Sequence, residues 1–352
     1  MKKILFRADG NAQIGAGHIM RCLSLGLAAR ELGAECRYVV ADDSFVLTIE
    51  EYGFECEILH TNYSDMDHEL DKCVQAIEKF QPDVILADSY YVTYPYLEKL
   101  KTYAKLAYID DIKSFAYPVD VLINYNSGAT EMDYPKLYQD NKKELPQLIL
   151  GEHFVPLRQE FQKLHLQPVK NKVSDILFSA GGADPERIAL RFAREVIHNE
   201  QLSGYRFHLV LGAFEPDVEE IKKLAEKHTQ VCIHQDVKKM SELMQQCDMA
   251  VSAAGSTLYE LCACGVPTIT YVLADNQKLG ERSLCGKGIM KSAGDVRTKS
   301  EFWDDLMEMM YLLAENCEER QKMRESAVRT VDGMGAEHII KNLMSSEGKD
   351  VS

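Results

Sequence analysis

One histidine of the chain lies in a glycine-rich turn where a helix is predicted to begin. In the segment GNAQIGAGHIMRCLSLGLAARELG, His18 follows Gly15 and Gly17. Glycine permits backbone conformations that other residues avoid, and the unpaired N–H groups of a first helical turn attract phosphate. Histidine exchanges a proton close to neutral pH and suits a general base. The segment predicts a base beside a phosphate or pyrophosphate site, with a structural turn capped by His18 as the alternative.

Two common nucleotide-binding motifs are excluded for this turn. A dinucleotide fingerprint G-x-G-x-x-G would need glycine where Met20 stands. No GK[ST] follows, so the turn is not a Walker A motif either.

A second glycine turn occurs in FSAGGADPERIALRFA. Its strand is predicted to end at Ser179, and Gly181 and Gly182 form the turn. Asp184 suits the N-cap of the next helix and Pro185 its first position. Another helix N-terminus is therefore predicted at the carboxyl end of a strand.

A third glycine turn occurs in MAVSAAGSTLYELCACGVPTI. Gly255, Ser256 and Thr257 open a short helix, and their backbone and hydroxyl donors suit a diphosphate. Glu260, one turn later, could accept hydrogen bonds from a ribose diol. A solvent-exposed helix carboxylate is the alternative interpretation of Glu260.

Four aspartates stand at or near the ends of predicted strands. We interpret them as groups that orient sugar substituents or hydrogen-bond to His18, with Asp9, Asp88 and Asp110 as the supporting set beside Asp111. A mechanism with paired carboxylates is the alternative.

No metal and no cofactor are predicted. Cys262 and Cys264 are spaced C-x-C without a second pair at zinc-site spacing. Asp65 and Asp67 form a D-x-D pattern, but it lies in a polar loop away from the third glycine turn.

Composition limits the classes of partner. The formal net charge of −15 disfavours nucleic acid and anionic lipid, and no apolar run approaches the ~18 residues of a membrane span. The N-terminal MKKILFRADG lacks the apolar length of a signal peptide and is predicted to be a first strand. The ten scattered cysteines indicate reduced thiols in a cytoplasmic protein. We expect a small-molecule substrate, and the oligomeric state stays open.

Short apolar runs alternate with helical patterns along the chain. Several runs are apolar at consecutive positions, which is typical of parallel strands buried on both faces. The alternation indicates βαβ units and a parallel sheet. The predicted strands are Ile4–Ala8, Cys36–Ala41, Cys56–Leu59, Val84–Ala87, Leu106–Ile109, Val121–Asn124, Leu148–Leu150, Ile176–Ser179, Phe207–Leu211, Val231–His234, Met249–Ser252 and Thr268–Val272.

The chain of 352 residues is long enough for two domains. We predict an α/β fold of two doubly wound parallel-sheet (Rossmann-like) domains with an interdomain cleft, where ligands bind at the carboxyl ends of the strands. The tail is expected to be a helical pair that packs back on the first domain. The predicted boundaries are 1–155 for the N-terminal domain, 156–172 for a polar, helix-like linker, 173–298 for the C-terminal domain and 299–352 for the tail.

These motifs, in this order, resemble a known enzyme family. The stretches are RADGNAQIGAGHIMRCLSLG, SAGGADP, SAAGSTLYELCACGVPTI and DNQ, within about residues 1 to 290. They resemble the PseG family, the UDP-2,4-diacetamido-2,4,6-trideoxy-β-L-altropyranose hydrolases of pseudaminic acid biosynthesis. The resemblance implies a GT-B fold like that of MurG, with UDP held by the C-terminal domain.

The resemblance also implies roles for residues on the sugar side. His18 matches the base that activates water at the anomeric carbon. Tyr90 in DSYY and Asn276 in DNQ match active-site residues, and Arg158 matches a substrate contact.

On the nucleotide side, Glu260 matches the ribose-binding carboxylate, and Gly255 to Thr257 match the diphosphate turn. The full set of predicted substrate- and UDP-binding residues is Gly15, Gly17, Arg158, Gly181, Gly182, Gly255, Ser256, Thr257, Glu260 and Gln277.

The expected reaction is metal-independent hydrolysis of a UDP-linked sugar with inversion. UDP is a good leaving group, so the enzyme needs charge stabilisation on the diphosphate and a positioned water. The positive end of the helix dipole favours an uncharged His18, which keeps it a base. The alternatives are a GT-B glycosyltransferase, a UDP-sugar 2-epimerase and a non-enzymatic nucleotide-sugar-binding protein.

Overall fold

The protein divides into two compact units. Unit 1 comprises Met1–Gln159 and the chain from Met334 onward, and unit 2 comprises Glu160–Gly333. In the described part of the chain, no helix is both long and apolar enough to cross a bilayer. The computed structural model describes residues 1–181, 184, 186–212 and 215–345.

Unit 1 is built on a parallel sheet in which the described residues form seven strands in the order β3-β2-β1-β4-β5-β6-β7. Ile4 and Phe6 of β1 pack on one face of the sheet and Leu5 packs on the other. Both faces of the strand are therefore buried, which explains its consecutive apolar residues. The elements are β1 (Lys3–Ala8), α1 (Gly17–Glu31), β2 (Glu35–Val40), α2 (Val46–Glu51), β3 (Glu55–Ile58), α3 (Met66–Phe80), β4 (Val84–Asp88), α4 (Tyr94–Leu100), β5 (Lys105–Ile109), β6 (Val121–Asn124), α5 (Tyr134–Asp140) and β7 (Gln147–Leu150).

Unit 2 has a second parallel sheet, whose described strands follow the order β10-β9-β8-β11-β12-β13. A last helix, α13 (Gly335–Met344), follows unit 2 in the chain and belongs to unit 1. The elements of unit 2 are β8 (Asp175–Ser179), α6 (Ile188–His198), β9 (Arg206–Val210), α7 (Val218–Lys227), β10 (Val231–His234), α8 (Met240–Gln246), β11 (Met249–Ala253), α9 (Thr257–Ala263), β12 (Thr268–Val272), α10 (Lys278–Gly286), β13 (Met290–Asp295), α11 (Phe302–Glu315) and α12 (Cys317–Thr330).

The prediction of two doubly wound α/β sheets is confirmed, and each predicted strand lies within one residue of an observed one. The sequence missed β13, with the residues MKSAGD. This edge strand carries three polar residues and a glycine, and its register shifts opposite Thr270 and Tyr271. It therefore lacks the apolar run that marked the others.

Each sheet has one position where the strand order reverses. In unit 1 this point lies between β1 and β4, where Ala8 pairs with Asp88. In unit 2 it lies between β8 and β11, where Ser179 pairs with Ser252. Ligands of doubly wound sheets bind at such points, beyond the carboxyl ends of the strands. All three predicted glycine turns follow strands at these two points.

The predicted linker and tail differ from the structure. The division between the units falls at Gln159 and Glu160, and residues 162–174 form neither helix nor strand. The tail 299–352 is divided between the units: α11 and α12 belong to unit 2, whereas α13 packs on α1 in unit 1. Each of these amphipathic helices covers apolar surface, as α13 does with Ile339 and Ile340 in the cluster of α1.

Candidate active site

The turn before α1 places His18 at the reversal point of the unit 1 sheet. The Asn11 side chain accepts hydrogen bonds from the backbone N–H groups of Gln13 and Ile14, at 2.9 and 3.1 Å. Gly15 closes the turn with φ +73°, a conformation that favours glycine, and its N–H donates to the Asn11 carbonyl. His18 is the second residue of α1 and is buried.

His18 pairs with a buried carboxylate at the end of the adjacent strand. Its Nδ1 lies 2.7 Å from Oδ1 of Asp88, the last residue of β4. The alternative prediction of a capping histidine is wrong, because Ala16 is the N-cap residue and no side chain caps the helix. His18 and Asp88, 70 residues apart in sequence, thus form a buried imidazole–carboxylate pair.

The electrostatics of Asp88 determine which nitrogen of His18 carries the proton. Burial alone would raise the pKa of Asp88, but the Arg21 guanidinium and the bond from His18 lower that pKa to about 2. Nδ1 also lies 3.1 Å from Arg21 Nη2, but its contact with Asp88 is shorter, at 2.7 Å. An ionised carboxylate only accepts hydrogen bonds, so we assign the imidazole proton to Nδ1. The lone pair then resides on Nε2, which has no hydrogen-bond partner among the described residues. This tautomer suits a general base.

Arg21 lies one helical turn after His18 and connects the pair to further polar groups. It donates to Asp88 through both Nε, at 2.5 Å, and Nη2. Its Nη1 donates to Asp111 Oδ2 at 2.9 Å and to the Tyr125 hydroxyl at 2.7 Å. A cation with this fork geometry neutralises Asp88 and fixes its orientation.

Tyr90, predicted as an active-site tyrosine, lies beside His18. The two rings meet edge to face with centroids 4.6 Å apart, and the Tyr90 side chain is half-exposed. Its hydroxyl donates to Asp111 Oδ2 at 3.1 Å.

Two of the predicted supporting aspartates do not reach His18. Asp9 accepts hydrogen bonds from Arg7 and from the Ala41 backbone, each at 2.7 Å. Asp110 is fully buried and accepts from the hydroxyls of Tyr117 and Tyr134, at 3.0 and 2.6 Å. The prediction that these two hydrogen-bond to the base is corrected, because both connect strand ends to neighbouring elements. Their contact with the sugar stays a prediction.

Unit 2 has a small pocket at the reversal point of its own sheet. The pocket has a volume of about 150 Å³. Thr257 and Glu260 of α9 line one side of the pocket. Gly181, which follows β8 and has φ +95°, lines another side. The apolar part of the lining comes from Leu177, Val210, Met240 and Met244. The structure therefore brings together two of the three glycine turns and the candidate ribose carboxylate.

The first helix after β8 begins later than predicted. α6 starts at Ile188 with Arg187 as its N-cap, so Asp184 is not the N-cap residue. Asp184 is nonetheless buried, and its Oδ2 accepts from the Ala189 N–H at 2.7 Å. Gly182 and Pro185 lie outside the described residues.

The remaining predicted site residues lie outside the His18 cluster. Gly255 and Ser256 are exposed at the start of α9, and Asn276 is exposed in the 3-10 turn Asp275–Gln277. Gln277 uses its Oε1 to accept from the Leu273 N–H at 2.8 Å. Gly17 opens α1, and Arg158 is half-buried in unit 1.

Sequence reasoning missed Arg21, Tyr125 and Asn126. Arg21 carried a usable signal, because residues three apart share a helix face and Arg21 follows His18 at that spacing. Asp111 was counted among the aspartates expected to orient the sugar or His18, but its bonds to Arg21 and Tyr90 were not foreseen. Tyr125 and Asn126 follow β6, and strand pairing brings Tyr125 to Arg21 and Asn126 to Asp111, which a local pattern does not show.

The chain is similar in sequence to several known proteins. No family model matches it. It is 25% identical over 286 residues to an uncharacterised protein of Methanocaldococcus jannaschii, covering 78% of the chain and 56% of that protein. It is also 25% identical over 291 residues to the UDP-2,4-diacetamido-2,4,6-trideoxy-β-L-altropyranose hydrolase of Campylobacter jejuni, covering 81% of the chain and 97% of the hydrolase. The resemblance predicted from the motifs is thereby confirmed.

The fold prediction is confirmed by solved structures. The chain superposes on the crystal structure of Acinetobacter baumannii MurG with a TM-score of 0.69. The alignment covers 97% of this chain and 99% of MurG at 12% identity. At that identity the likeness establishes the GT-B-like pair of Rossmann-like domains and no shared activity.

Proposed function

We propose that the protein hydrolyses a UDP-linked sugar at the anomeric carbon and releases UDP and the free sugar. The observation that carries the proposal is the buried His18–Asp88 pair, whose Nε2 is left to act as a base at the reversal point of a doubly wound sheet. The similarity to the Campylobacter jejuni hydrolase supports a diacetamido-trideoxy sugar of pseudaminic acid biosynthesis as the substrate.

The proposed mechanism is a single displacement by water. His18 Nε2 takes a proton from water as the oxygen forms a bond to the anomeric carbon. The bond from that carbon to the UDP oxygen breaks, and its electron pair leaves with UDP. Asp88 holds Nδ1–H and stabilises the imidazolium that forms. Attack opposite the leaving oxygen inverts the anomeric centre.

Tyr90 and Asn276 contact the sugar in this proposal, and Arg158 is a further substrate contact. The edge of the half-exposed Tyr90 ring beside His18 offers an apolar surface next to the base. No metal takes part, so turnover should persist in EDTA. All ten cysteines are free thiols, which supports a cytoplasmic location.

Unit 2 binds the nucleotide in the same proposal. The pocket beside α9 suits the uracil ring, and Glu260 accepts hydrogen bonds from the ribose hydroxyls. The backbone N–H groups of Ser256 and Thr257 lie at the N-cap and the first position of α9 and attract the diphosphate. Gly255, whose own N–H donates to the Ala253 carbonyl, forms the turn before them. Gly15, Gly17, Gly181 and Gln277 remain proposed contributors to substrate binding.

Replacement of Glu260 by alanine is expected to weaken UDP binding about 10- to 100-fold. Hydrogen bonds to a charged acceptor contribute about 1.5–3 kcal/mol, which corresponds to that range. Isothermal titration with UDP measures the change. Glu242→Ala is the matched control, because this carboxylate is exposed on α8 and pairs with Lys239 on the surface. Equal affinity of Glu260→Ala and the control for UDP would exclude Glu260 as the ribose ligand.

The function is tested with a panel of UDP-sugars, N-acetylated deoxy sugars included, without any acceptor. We expect equal amounts of UDP and free sugar. Early NMR spectra should show the free sugar with the anomeric configuration opposite to that of the substrate. UDP release that requires an acceptor would indicate a glycosyltransferase instead. A sugar with altered configuration at C2 would indicate an epimerase, and UDP-sugar binding without release would indicate a binding protein.

A further inference from the structure

Asp111 connects Arg21 and Tyr90, two side chains that contact the His18 ring in addition to Asp88. Its Oδ2 accepts from Tyr90 at 3.1 Å and from Arg21 at 2.9 Å. Its Oδ1 accepts from Asn126 Nδ2 at 2.8 Å. The carboxylate is mostly buried, and Asp111 is the second residue after the end of β5. Three donors from separate elements therefore fix its orientation.

We propose that Asp111 is a positioning residue that holds the Tyr90 ring against His18. This inference rests on the proposed function only in treating His18 as the base. Asp111 touches neither the imidazole nor, in the proposed mechanism, the reacting atoms. It acts by accepting the Tyr90 hydroxyl proton in a hydrogen bond.

The need for such a residue follows from the exposure of Tyr90. The side chain is 47% exposed, so packing alone leaves the ring free to turn about its χ1 and χ2 bonds. Burial and the charge of Asp111 raise the pKa of Tyr90 to about 12. The hydroxyl therefore keeps its proton at neutral pH and donates to Asp111. The hydrogen bond from the hydroxyl to Asp111 thus holds the partly exposed Tyr90 ring in its edge contact with the His18 imidazole.

The position of the Tyr90 ring can be read from the NMR signals of the His18 ring protons. These signals are those that disappear in His18→Asn, and the neighbouring aromatic ring shifts them. Tyr90→Ala removes the ring and defines the full change. We expect Asp111→Ala and Tyr90→Phe each to move the signals at least half of the way to the Tyr90→Ala positions, because both delete the same hydrogen bond.

Tyr90→Phe separates the tether from the bond between Asp111 and Arg21, which it leaves in place. It also provides the test if Asp111→Ala does not fold. Tyr91→Phe is the matched control: this neighbouring tyrosine is also exposed, and it packs on Tyr63. Unmoved His18 signals in both Asp111→Ala and Tyr90→Phe, or in Tyr90→Ala, would overturn the proposal.

A kinetic cycle gives an independent readout. Loss of one such hydrogen bond should lower kcat about tenfold in Asp111→Ala and in Tyr90→Phe, and the double variant should be no worse than the poorer single variant. Losses that multiply to about 100-fold would show independent roles and refute the tether. If wild-type protein releases no UDP from any UDP-sugar, the proposed function fails, whereas the NMR result still decides the role of Asp111.

Discussion

Replacement of His18 by asparagine is expected to lower the turnover of the UDP-sugar about 10²–10⁴-fold, the usual contribution of general acid–base catalysis. Asparagine can present its amide N–H to Asp88 where Nδ1–H was, but it offers no lone pair in place of Nε2. The buried carboxylate therefore keeps a donor while the base is lost. Steady-state kinetics of UDP release measure the effect.

Affinity for UDP should stay within twofold of wild type in His18→Asn, because the proposed uracil and ribose contacts belong to unit 2 and the His18 imidazole acts on the attacking water. His68→Asn serves as the control, since this exposed histidine of α3 pairs with Asp65 at the surface. Turnover of His18→Asn within threefold of wild type would remove the base assignment.

Replacement of Asp88 by asparagine is expected to destabilise unit 1 by about 3–5 kcal/mol, the usual cost of breaking a buried ion pair from one side. The Asp88 side chain is fully buried and that of Arg21 is 12% exposed, so solvent cannot replace the lost charge. Turnover should fall as well, because His18 loses the acceptor that fixes its tautomer. Hydrogen exchange of the amides in β1 and β4, compared with those in unit 2, measures the loss by unit.

A double variant distinguishes a lost charge pair from a general packing defect. Arg21→Met combined with Asp88→Asn removes both charges and should recover part of the stability that Asp88→Asn loses, though none of the turnover. If Asp88→Asn alone lowers the free energy of unfolding by less than about 1 kcal/mol, the ion pair of Asp88 with Arg21 does not stabilise unit 1 as its burial implies.

The same pairing predicts an acid limb in the stability of unit 1. Asp88 has a folded pKa of about 2, below the ordinary aspartate value of ~3.9. A carboxyl whose pKa is depressed on folding stabilises the native state above its unfolded pKa. That stabilisation is lost as the pH falls from about 4 towards 2. Asp88→Asn should lack this contribution, so the stability difference from wild type should shrink as the pH falls through that range.

The sequence by itself determined the two parallel sheets and the places where their glycine turns occur. Strands buried on both faces must be apolar at consecutive positions, and that local pattern located β1 and β8 without knowledge of their neighbours. It could not locate β13, which has an exposed edge and no such run. His18 was recognisable because histidine on a glycine turn is an unusual local combination.

Only the tertiary structure decided which carboxylate serves His18. Asp9, Asp88 and Asp110 all end or follow strands and are equivalent in a linear pattern, yet the pairing of β1 with β4 brings Asp88 alone to the imidazole. Asp9 instead accepts a hydrogen bond from Arg7, and Asp110 accepts hydrogen bonds from two tyrosines, Tyr117 and Tyr134. Hydrogen-bond partners depend on contacts between residues far apart in sequence, and local periodicity carries no information about them.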